Sequence, residues 1–332
     1  MKAFVMNKYG TGDLQFVDIP IPKLGNNDVL VEVYAASINQ LDLKIKVGEF
    51  KLILPYKFPL ILGHDVTGIV IEVGAKVSKF KAGDEIYARP ADFRIGTFAE
   101  YIAIDESDVA LKPKNITFEE AASIPLVGLT AWQAFVERGF LKKGQKVFIQ
   151  AGSGGAGTIA IQLAKHLGAI VATTTSAKNS DLVKTLGADV VIDYRNEDFE
   201  LILKDYDFVL NSQDSKTLEK SLNILKSGGK LISISGPPTP LFAKEFDLPW
   251  YVRLATKLLS GKVRAKTKKL GVEYEFLFMK SNGTQLGEIA KLIESEAIRP
   301  VIDRVFPFEQ TNEALQYIER GRSKGKVVVK LK

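Results

Sequence analysis

The chain contains no cysteine. Disulfides, thiolate metal sites and a cysteine nucleophile are excluded with it. A reducing compartment fits this, and cytoplasmic localisation is the expectation. No uncharged apolar run reaches the roughly 18 residues that a membrane-spanning helix needs. The N-terminal stretch MKAFVMNKYGTGD is too short in apolar residues for a signal peptide. No membrane partner is expected. There is no run of five basic residues and no RNA- or DNA-binding signature. The net charge of +6 favours anionic ligands, but no nucleic-acid partner is expected. Low-complexity segments and internal repeats are absent too.

What is present suits a two-domain protein. The 332 residues are enough for two full cores, at 46% hydrophobic and 25% charged. Short strands come first: Lys2–Met6, Leu14–Val17, Val29–Tyr34, Gly68–Gly74, Glu85–Tyr87 and Phe98–Ile104. Ala35–Lys44 reads as a turn into a short helix. Such turn-punctuated strands predict a compact, barrel-like β domain. From about residue 118 helices and parallel-type strands alternate. Phe118–Ile124, Thr130–Arg138 and Leu286–Glu294 read as helices. Val190–Tyr194, Phe208–Asn211, Lys230–Ser235 and Tyr274–Phe278 read as strands. This predicts a doubly wound parallel sheet. The segments Ile298–Asp303, Glu309–Arg320 and Lys326–Leu331 return to the β domain. The basic run from Lys257 to Lys269 reads as a solvated helix and turn, with an anion-binding patch as the alternative.

The most informative stretch is GQKVFIQAGSGGAGTIAIQLAKHLGAIVATTTSAK, from Gly144 to Lys178. A buried strand, Val147–Ile149, leads into Gly152, Gly154 and Gly157 in G-x-G-x-x-G spacing. Ile159, Leu163 and Leu167 then repeat at helical spacing, and Ile170–Thr175 is a second strand. Glycines at a strand-to-helix handover allow a tight turn, close approach to a pyrophosphate and close helix–sheet packing. The helix N-terminus adds N–H donors. An NAD site places Asp or Glu about 20 residues on, for the ribose 2′-hydroxyl. Here the stretch reads Thr174-Thr175-Ser176-Ala177-Lys178-Asn179, with no carboxylate before Asp181. Hydroxyls and one cation suit a 2′-phosphate, so NADPH is the expected cofactor. The competing reading of Lys178 is a solvated lysine opening the next helix.

The order of these motifs resembles the zinc-free medium-chain dehydrogenases/reductases of the quinone oxidoreductase type. The similarity is greatest to NADPH-dependent enone oxidoreductases and chloroplast-envelope quinone oxidoreductase homologues. VEVYAASINQLDLK, FPLILGHDVTGIVIEVGAKVSKFKAGDEIYA, AASIPLVGLTAWQAF, QAGSGGAGTIAIQLAKHLGA, LGADVVIDY and RGRSKGKVVV carry the likeness over essentially the whole chain. The resemblance implies an α/β fold in which a Rossmann doubly wound parallel sheet is inserted in a GroES-like β-barrel domain. The expected boundaries are 1–122 for the GroES-like domain, 123–296 for the Rossmann domain and 297–332 for the return. A homodimer is implied as well.

The resemblance also implies site residues. Zinc-dependent members have Cys near Ile38-Asn39-Gln40, Gly-His-Glu at 63–65 and Cys before Gly128. This chain has Asn39, Asp65 and Leu126-Val127 instead. His64 alone cannot make a tetrahedral site, so no metal is expected. Asn39, Lys44 and His64 are the catalytic candidates. Asn39 also has a plain turn-shaping reading, and His64 a hydrogen-bonding one. Thr130, Gly154, Gly155, Ala156, Gly157, Ser176, Ala177, Lys178, Asn179, Tyr194, Gly236 and Arg322 are the cofactor candidates. Two positions depart from the pattern: Phe50, where a tyrosine is common, and Asn211-Ser212-Gln213-Asp214, where an acidic-glycine turn is usual. The implied reaction is hydride transfer from NADPH to an activated C=C (an enone or alkenal) or to a quinone. The alternative is an NADPH-binding sensor or structural protein with little turnover.

Overall fold

The computed structural model describes residues 1–321 and 323–332. Its strands, in chain order, are β1 (Lys2–Met6), β2 (Gln15–Asp18), β3 (Asp28–Ile38), β4 (Leu60–Ile61), β5 (Asp65–Val73), β6 (Glu85–Ala88), β7 (Tyr101–Asp105), β8 (Val109–Leu111), β9 (Lys146–Ile149), β10 (Ile170–Thr175), β11 (Val190–Asp193), β12 (Tyr206–Asn211), β13 (Leu225–Ser233), β14 (Glu273–Phe276), β15 (Ile302–Pro307) and β16 (Lys326–Lys330). Two compact units result: Met1–Leu129 with Lys280–Lys332, and Thr130–Met279.

In the first unit β3 is the hub. It is 11 residues long and almost wholly buried. β5 runs antiparallel along one edge. The other edge is shared: β7 pairs with residues 28–32 and β16 with residues 35–38. Register shifts between β3 and β5 at Leu30/Val31 and Val33/Ala35 mark bulges, which let a long strand bend between partners. Val29, Val31 and Val33 face Val66, Val70, Ile86 and Ile104 in one core. These β-branched residues suit a pleated, half-buried surface. At Gly68 a Cβ would lie 2.0 Å from the Glu32 carbonyl oxygen, so only glycine lets β5 cross β3 there. A small sheet, β2-β1-β4, completes the unit.

The second unit is a parallel sheet in the order β11-β10-β9-β12-β13-β14. Counted within the unit this is 3-2-1-4-5-6, the doubly wound dinucleotide-binding order. Phe148, Ala172, Val209 and Leu231 from four adjacent strands pack with Leu218 and Leu222 of the helix Ser215–Asn223.

The structure shifts several expected limits. The strand at 29–34 continues to Ile38, because β16 pairs with the part read as a turn. The stretch 130–138 is not one α-helix. An α-helix ends at Trp132 and Gln133–Arg138 is π-wound. The units divide at 129/130 and 279/280, rather than at 122/123 and 296/297. The reason lies in the helix Gly283–Glu294, which the expected boundaries put in the Rossmann domain. A Cβ on Gly283 would stand 2.2 Å from the Val109 oxygen. The Tyr87 hydroxyl donates to the Leu286 carbonyl at 2.5 Å, and Asn115 Nδ2 to the Ile293 carbonyl at 2.9 Å. These contacts hold the helix in the first unit.

One ion pair ties loops of that unit together. Arg94 Nη1 and Nη2 donate to Asp28 Oδ1 and Oδ2 at 2.8 and 2.6 Å, and Gly25 N–H adds a third bond. The Arg94 hydrogen bonds hold the Asp28 carboxyl below its ordinary value, against the opposing effect of burial. A lowered acid pKa means stability that is present above the ordinary carboxylate range and is lost as pH falls through the lowered value. Asp28→Asn is therefore expected to cost about 1–3 kcal/mol at neutral pH. Below about pH 3 the gap between variant and wild type should narrow. Urea denaturation at both pH values checks this, and an equal deficit at both would refute it.

Candidate cofactor cradle and buried polar cluster

In the second unit β9 leads into a tight loop and then the helix Gly155–His166. Ala151 takes φ +50°, a left-handed strain stored at the turn. Gly152 and Gly157 are demanded by the protein's own packing. A Cβ on Gly152 would lie 2.2 Å from Thr173 Oγ1, and one on Gly157 2.4 Å from the Ala151 oxygen. Gly154 is different. A Cβ there meets only the Ala151 oxygen, at 3.3 Å. Its bareness serves the space beyond the helix end. Gly154 is also the N-cap, with no side chain to offer. The first-turn N–H groups of Gly155, Ala156 and Gly157 have no acceptor within the helix. An uncapped 12-residue helix behind a bare glycine fits a pyrophosphate.

The end of β10 is built around the same loop. Thr174 Oγ1 accepts from Ala151 N–H at 3.2 Å, and the Thr175 hydroxyl donates to Ser153 Oγ at 2.9 Å. Asn179 Nδ2 donates to Ser153 as well, at 3.2 Å. These threonine hydroxyls are thus used inside the protein and do not wait for a ligand. Ser176 is buried, whereas Ala177 and Lys178 are exposed. Lys178 has no ion-pair partner among the described residues. Tyr194 N–H bonds to the Thr175 carbonyl, which sets its exposed ring beside this end of the sheet. The Arg195 guanidinium lies 5.9 Å from that ring's centroid. Sequence reasoning passed over Arg195; its signal was the Tyr-Arg pair directly after β11. Arg322 lies outside the described residues.

Gly236 follows β13 and lines a cavity of about 340 Å³ with Ser215, Ser235, Pro237, Leu259 and Lys262. The unusual turn after β12 has a structural explanation. Asn211 Nδ2 donates to Gln150 Oε1 at 2.7 Å, the Ser233 hydroxyl donates to Asn211 Oδ1 at 2.5 Å, and Gln150 Nε2 donates to Ser221 Oγ at 2.6 Å. Three strands are stapled by neutral groups, and Asp214 caps the next helix through Thr217 N–H. Thr130 is buried near the C-terminus of the helix Pro125–Trp132.

In the first unit the Asn39 and His64 candidates meet in one buried cluster. Asp65 Oδ2 accepts from the Ser37 hydroxyl at 2.8 Å, Asn39 Nδ2 at 2.8 Å and Lys326 Nζ at 3.1 Å. Its Oδ1 accepts from Leu126 N–H at 2.7 Å. Asn39 Oδ1 accepts from Lys326 as well. Asn39 caps the helix Gln40–Lys46, whose Asp42 accepts from Asn39 N–H at 2.7 Å. The other Asp42 oxygen holds His64 Nδ1 at 2.6 Å. All six side chains are buried. His64 Nε2 has no protein partner among the described residues. Lys44 stands apart: its side chain is 38% exposed, with Nζ 3.9 Å from Glu49. Of the three catalytic candidates, only Lys44 presents its charge to solvent. Lys326 and Asp42 were not singled out in the sequence. A lysine in a C-terminal strand and an acid at a helix start carry no local mark of burial.

Two family models match the chain. Residues 25–114 match the alcohol dehydrogenase GroES-like domain, and residues 186–329 the zinc-binding dehydrogenase domain. The mouse mitochondrial NAD(P)H oxidoreductase RTN4IP1 is 37% identical, over 99% of this chain and 89% of that protein. The chloroplastic NADPH-dependent alkenal/one oxidoreductase of Arabidopsis thaliana is 34% identical, over 99% of this chain and 79% of that protein. The structure of the quinone oxidoreductase from Coxiella burnetii superposes with a TM-score of 0.85 at 31% identity, covering 100% of this chain and 99% of that one. The chain belongs to the medium-chain dehydrogenase/reductase family, in its zinc-free quinone and enone oxidoreductase branch.

Within this family the second model's description names zinc, and this member's residues do not supply a site. It has no cysteine, and His64 Nδ1 is already engaged by Asp42. No cluster of three His, Asp or Glu suited to a metal exists among the described residues. Where a zinc-dependent member has a ligand set, this one has a carboxylate balanced by Lys326. Removing one partner of a buried pair leaves a bare charge, at a cost of about 3–5 kcal/mol. Lys326→Met is expected to lose that much. Adding Asp65→Asn to the same chain should recover most of the loss. Denaturation midpoints of the single and double variants decide it; a double variant no better than the single one would refute the pairing.

Proposed function

We propose that the protein is an NADPH-dependent reductase of activated C=C bonds, in enones and alkenals, and of quinones. One observation carries the cofactor choice. The glycine cradle continues into a β10 end with no carboxylate of its own, where Lys178 has no ion-pair partner among the described residues and Arg195 stands by Tyr194. A 2′-phosphate is met there by two cations, and the carboxylate on the neighbouring strand, Asp193 opposite Thr175, is taken up by Arg195 N–H and Asn196 Nδ2. The related Arabidopsis enzyme is named NADPH-dependent, which supports the same choice. Gly155, Ala156 and Gly157 receive the pyrophosphate at the helix N-terminus, and Ser176, Ala177 and Asn179 border the ribose. Thr130, Gly236 and Arg322 are proposed contacts by family pattern.

When bound, NADPH supplies a hydride. An enone takes it at its electrophilic β-carbon, a quinone on its ring system, and either then carries negative charge on oxygen. The chain must supply hydrogen bonds and one proton there. We assign this role to Lys44; the accessibility of its ammonium supports the choice. Asn39 and His64 act from the buried cluster as positioning residues. Asp42 fixes the His64 ring through Nδ1 and orients Nε2. The names of the alkenal/one and quinone relatives support this substrate class. We also place the protein in the cytoplasm, as a homodimer. The lack of cysteine suits a reducing compartment, and no described helix is long and apolar enough to cross a membrane.

Parallel assays of NADPH oxidation with small enones, alkenals and quinones test the reading. Turnover is expected with at least one class, with NADPH preferred over NADH by about tenfold or more. Lys178→Glu should raise KM for NADPH by about tenfold and change NADH kinetics little. Equal efficiency with both cofactors would overturn the NADPH assignment. Tight NADPH binding with no turnover on any electrophile would favour the sensor reading instead.

A further inference from the structure

The helix Trp250–Leu259 is inside out. Its buried face consists of Val252 and Thr256, continued by Ser260. The two hydroxyls bond back to their own helix: Thr256 Oγ1 donates to the Arg253 carbonyl and Ser260 Oγ to the Thr256 carbonyl. At about 100° per residue, Trp250, Leu254, Leu258, Tyr251 and Leu259 fall on one continuous arc of about 180°. That arc faces solvent. Trp250 is 76% exposed and Leu258 74%. Soluble surfaces seldom carry so many large apolar side chains together without a binding role.

The charge within this stretch of sequence has one sign, and two of its cations are paired with acids from outside it, Arg253 with Asp247 and Lys262 with Glu219. Between Leu248 and Val272 there are seven basic residues, Arg253, Lys257, Lys262, Arg264, Lys266, Lys268 and Lys269, and no acidic one. Lys257 lies at the margin of the arc. Lys268 and Lys269 end the next helix, Gly261–Leu270. None of these three lysines has a carboxylate partner among the described residues. In the sequence the basic run reads as a solvated helix and turn, with an anion-binding patch as the alternative. That reading passes over the apolar arc beside it.

We propose that this helix pair docks the protein onto an anionic lipid bilayer. The apolar arc lies in the headgroup–acyl boundary, with Trp250 as its aromatic anchor, and the lysines meet lipid phosphates. An amphipathic helix with Trp and Leu on one face and Lys beside it is the form that binds in the interface plane without spanning. The proposal reverses the expectation of no membrane contact. A second copy of the chain is a poorer occupant: symmetric pairing would set the seven-cation stretch against itself, with only Asp247 and Glu219 beside it and both already paired to Arg253 and Lys262. Nucleic acid is poorer too, since Leu254, Leu258 and Leu259 offer no stacking surface for bases. Docking stands on the surface alone. Its consequence rests on the reductase reading: electrophiles dissolved in the membrane, such as lipophilic quinones or alkenals, become the substrate class.

The full chain is tested by flotation with phosphatidylcholine vesicles, with and without phosphatidylglycerol. Binding is expected only to the anionic vesicles, weakening as salt rises. Leu254→Gln with Leu258→Gln, and separately Lys257→Gln with Lys268→Gln and Lys269→Gln, should each reduce partitioning by about tenfold or more. Neither set should alter NADPH oxidation with a water-soluble quinone, and that assay also reports folding. Failure of that assay in the wild-type chain counts against the reductase reading, and the vesicle result is read independently of it. No partitioning to anionic vesicles, or partitioning by both variant sets unchanged from the wild-type chain, overturns the docking. So does an oligomer in sedimentation that only the leucine variant dissolves, or RNA binding with no vesicle binding.

Discussion

A carboxylate with no exposure to water sets the frame of the first unit. Asp65 is the first residue of β5, and its two oxygens take four donors. Each comes from a different place: Ser37 at the end of β3, Asn39 at a helix cap, Leu126 in a helix 61 residues on, and Lys326 at the start of β16. An unpaired charge at that depth costs several kcal/mol, so the arrangement is stable only when all the pieces arrive together. The pairing registers follow. Ser37 sits opposite Asp65, and Val327 opposite Ile38. A slip of one residue would turn the hydroxyl and the carboxylate to opposite faces. Lys326 also decides where the chain must come back. After leaving for the whole of the second unit, it can complete the first only by delivering that ammonium.

The second unit solves the same problem with neutral groups. Gln150, Asn211 and Ser233 cross β9, β12 and β13 at the ends of the strands where a nucleotide is received in such sheets. A carboxylate in that place would oppose a phosphate ligand. The amide and hydroxyl staple gives the same rigidity with no charge. In the proposed reading the attraction for an anion is left to the helix N-terminus and to Lys178 and Arg195, at the outer end of β10 and β11.

This difference explains what was legible in the sequence. The glycine turn and the alternation of strand and helix are local patterns, and each was readable from a few neighbouring residues. The ends of strands were not, since they are set by partners far along the chain. Ala35–Ile38 looks like a turn until β16 is placed beside it. The site divides in the same way. The cradle of Gly152, Gly154 and Gly157 is written in one stretch. The Asn39–Lys326 contact joins residues 287 positions apart, and nothing near Lys326 announces it. Arg195 was hidden by the tyrosine before it, and the arc of Trp250 by the lysines that follow it.

The occupancy of Asp65 bears on the chemistry as well. Its lone pairs are already spent on Ser37, Asn39, Leu126 N–H and an ammonium. Asp42 is spent on His64 and the Asn39 N–H. A divalent cation entering here would have to displace Lys326 and would still find no thiolate. Only His64 Nε2 is left without a protein partner among the described residues, and one imidazole nitrogen does not make a metal site. A reaction carried by this chain must draw its electrophilic assistance from donors other than the groups held by Asp65. This favours acceptors activated by conjugation, such as an enone or a quinone, over a simple carbonyl that needs a Lewis acid.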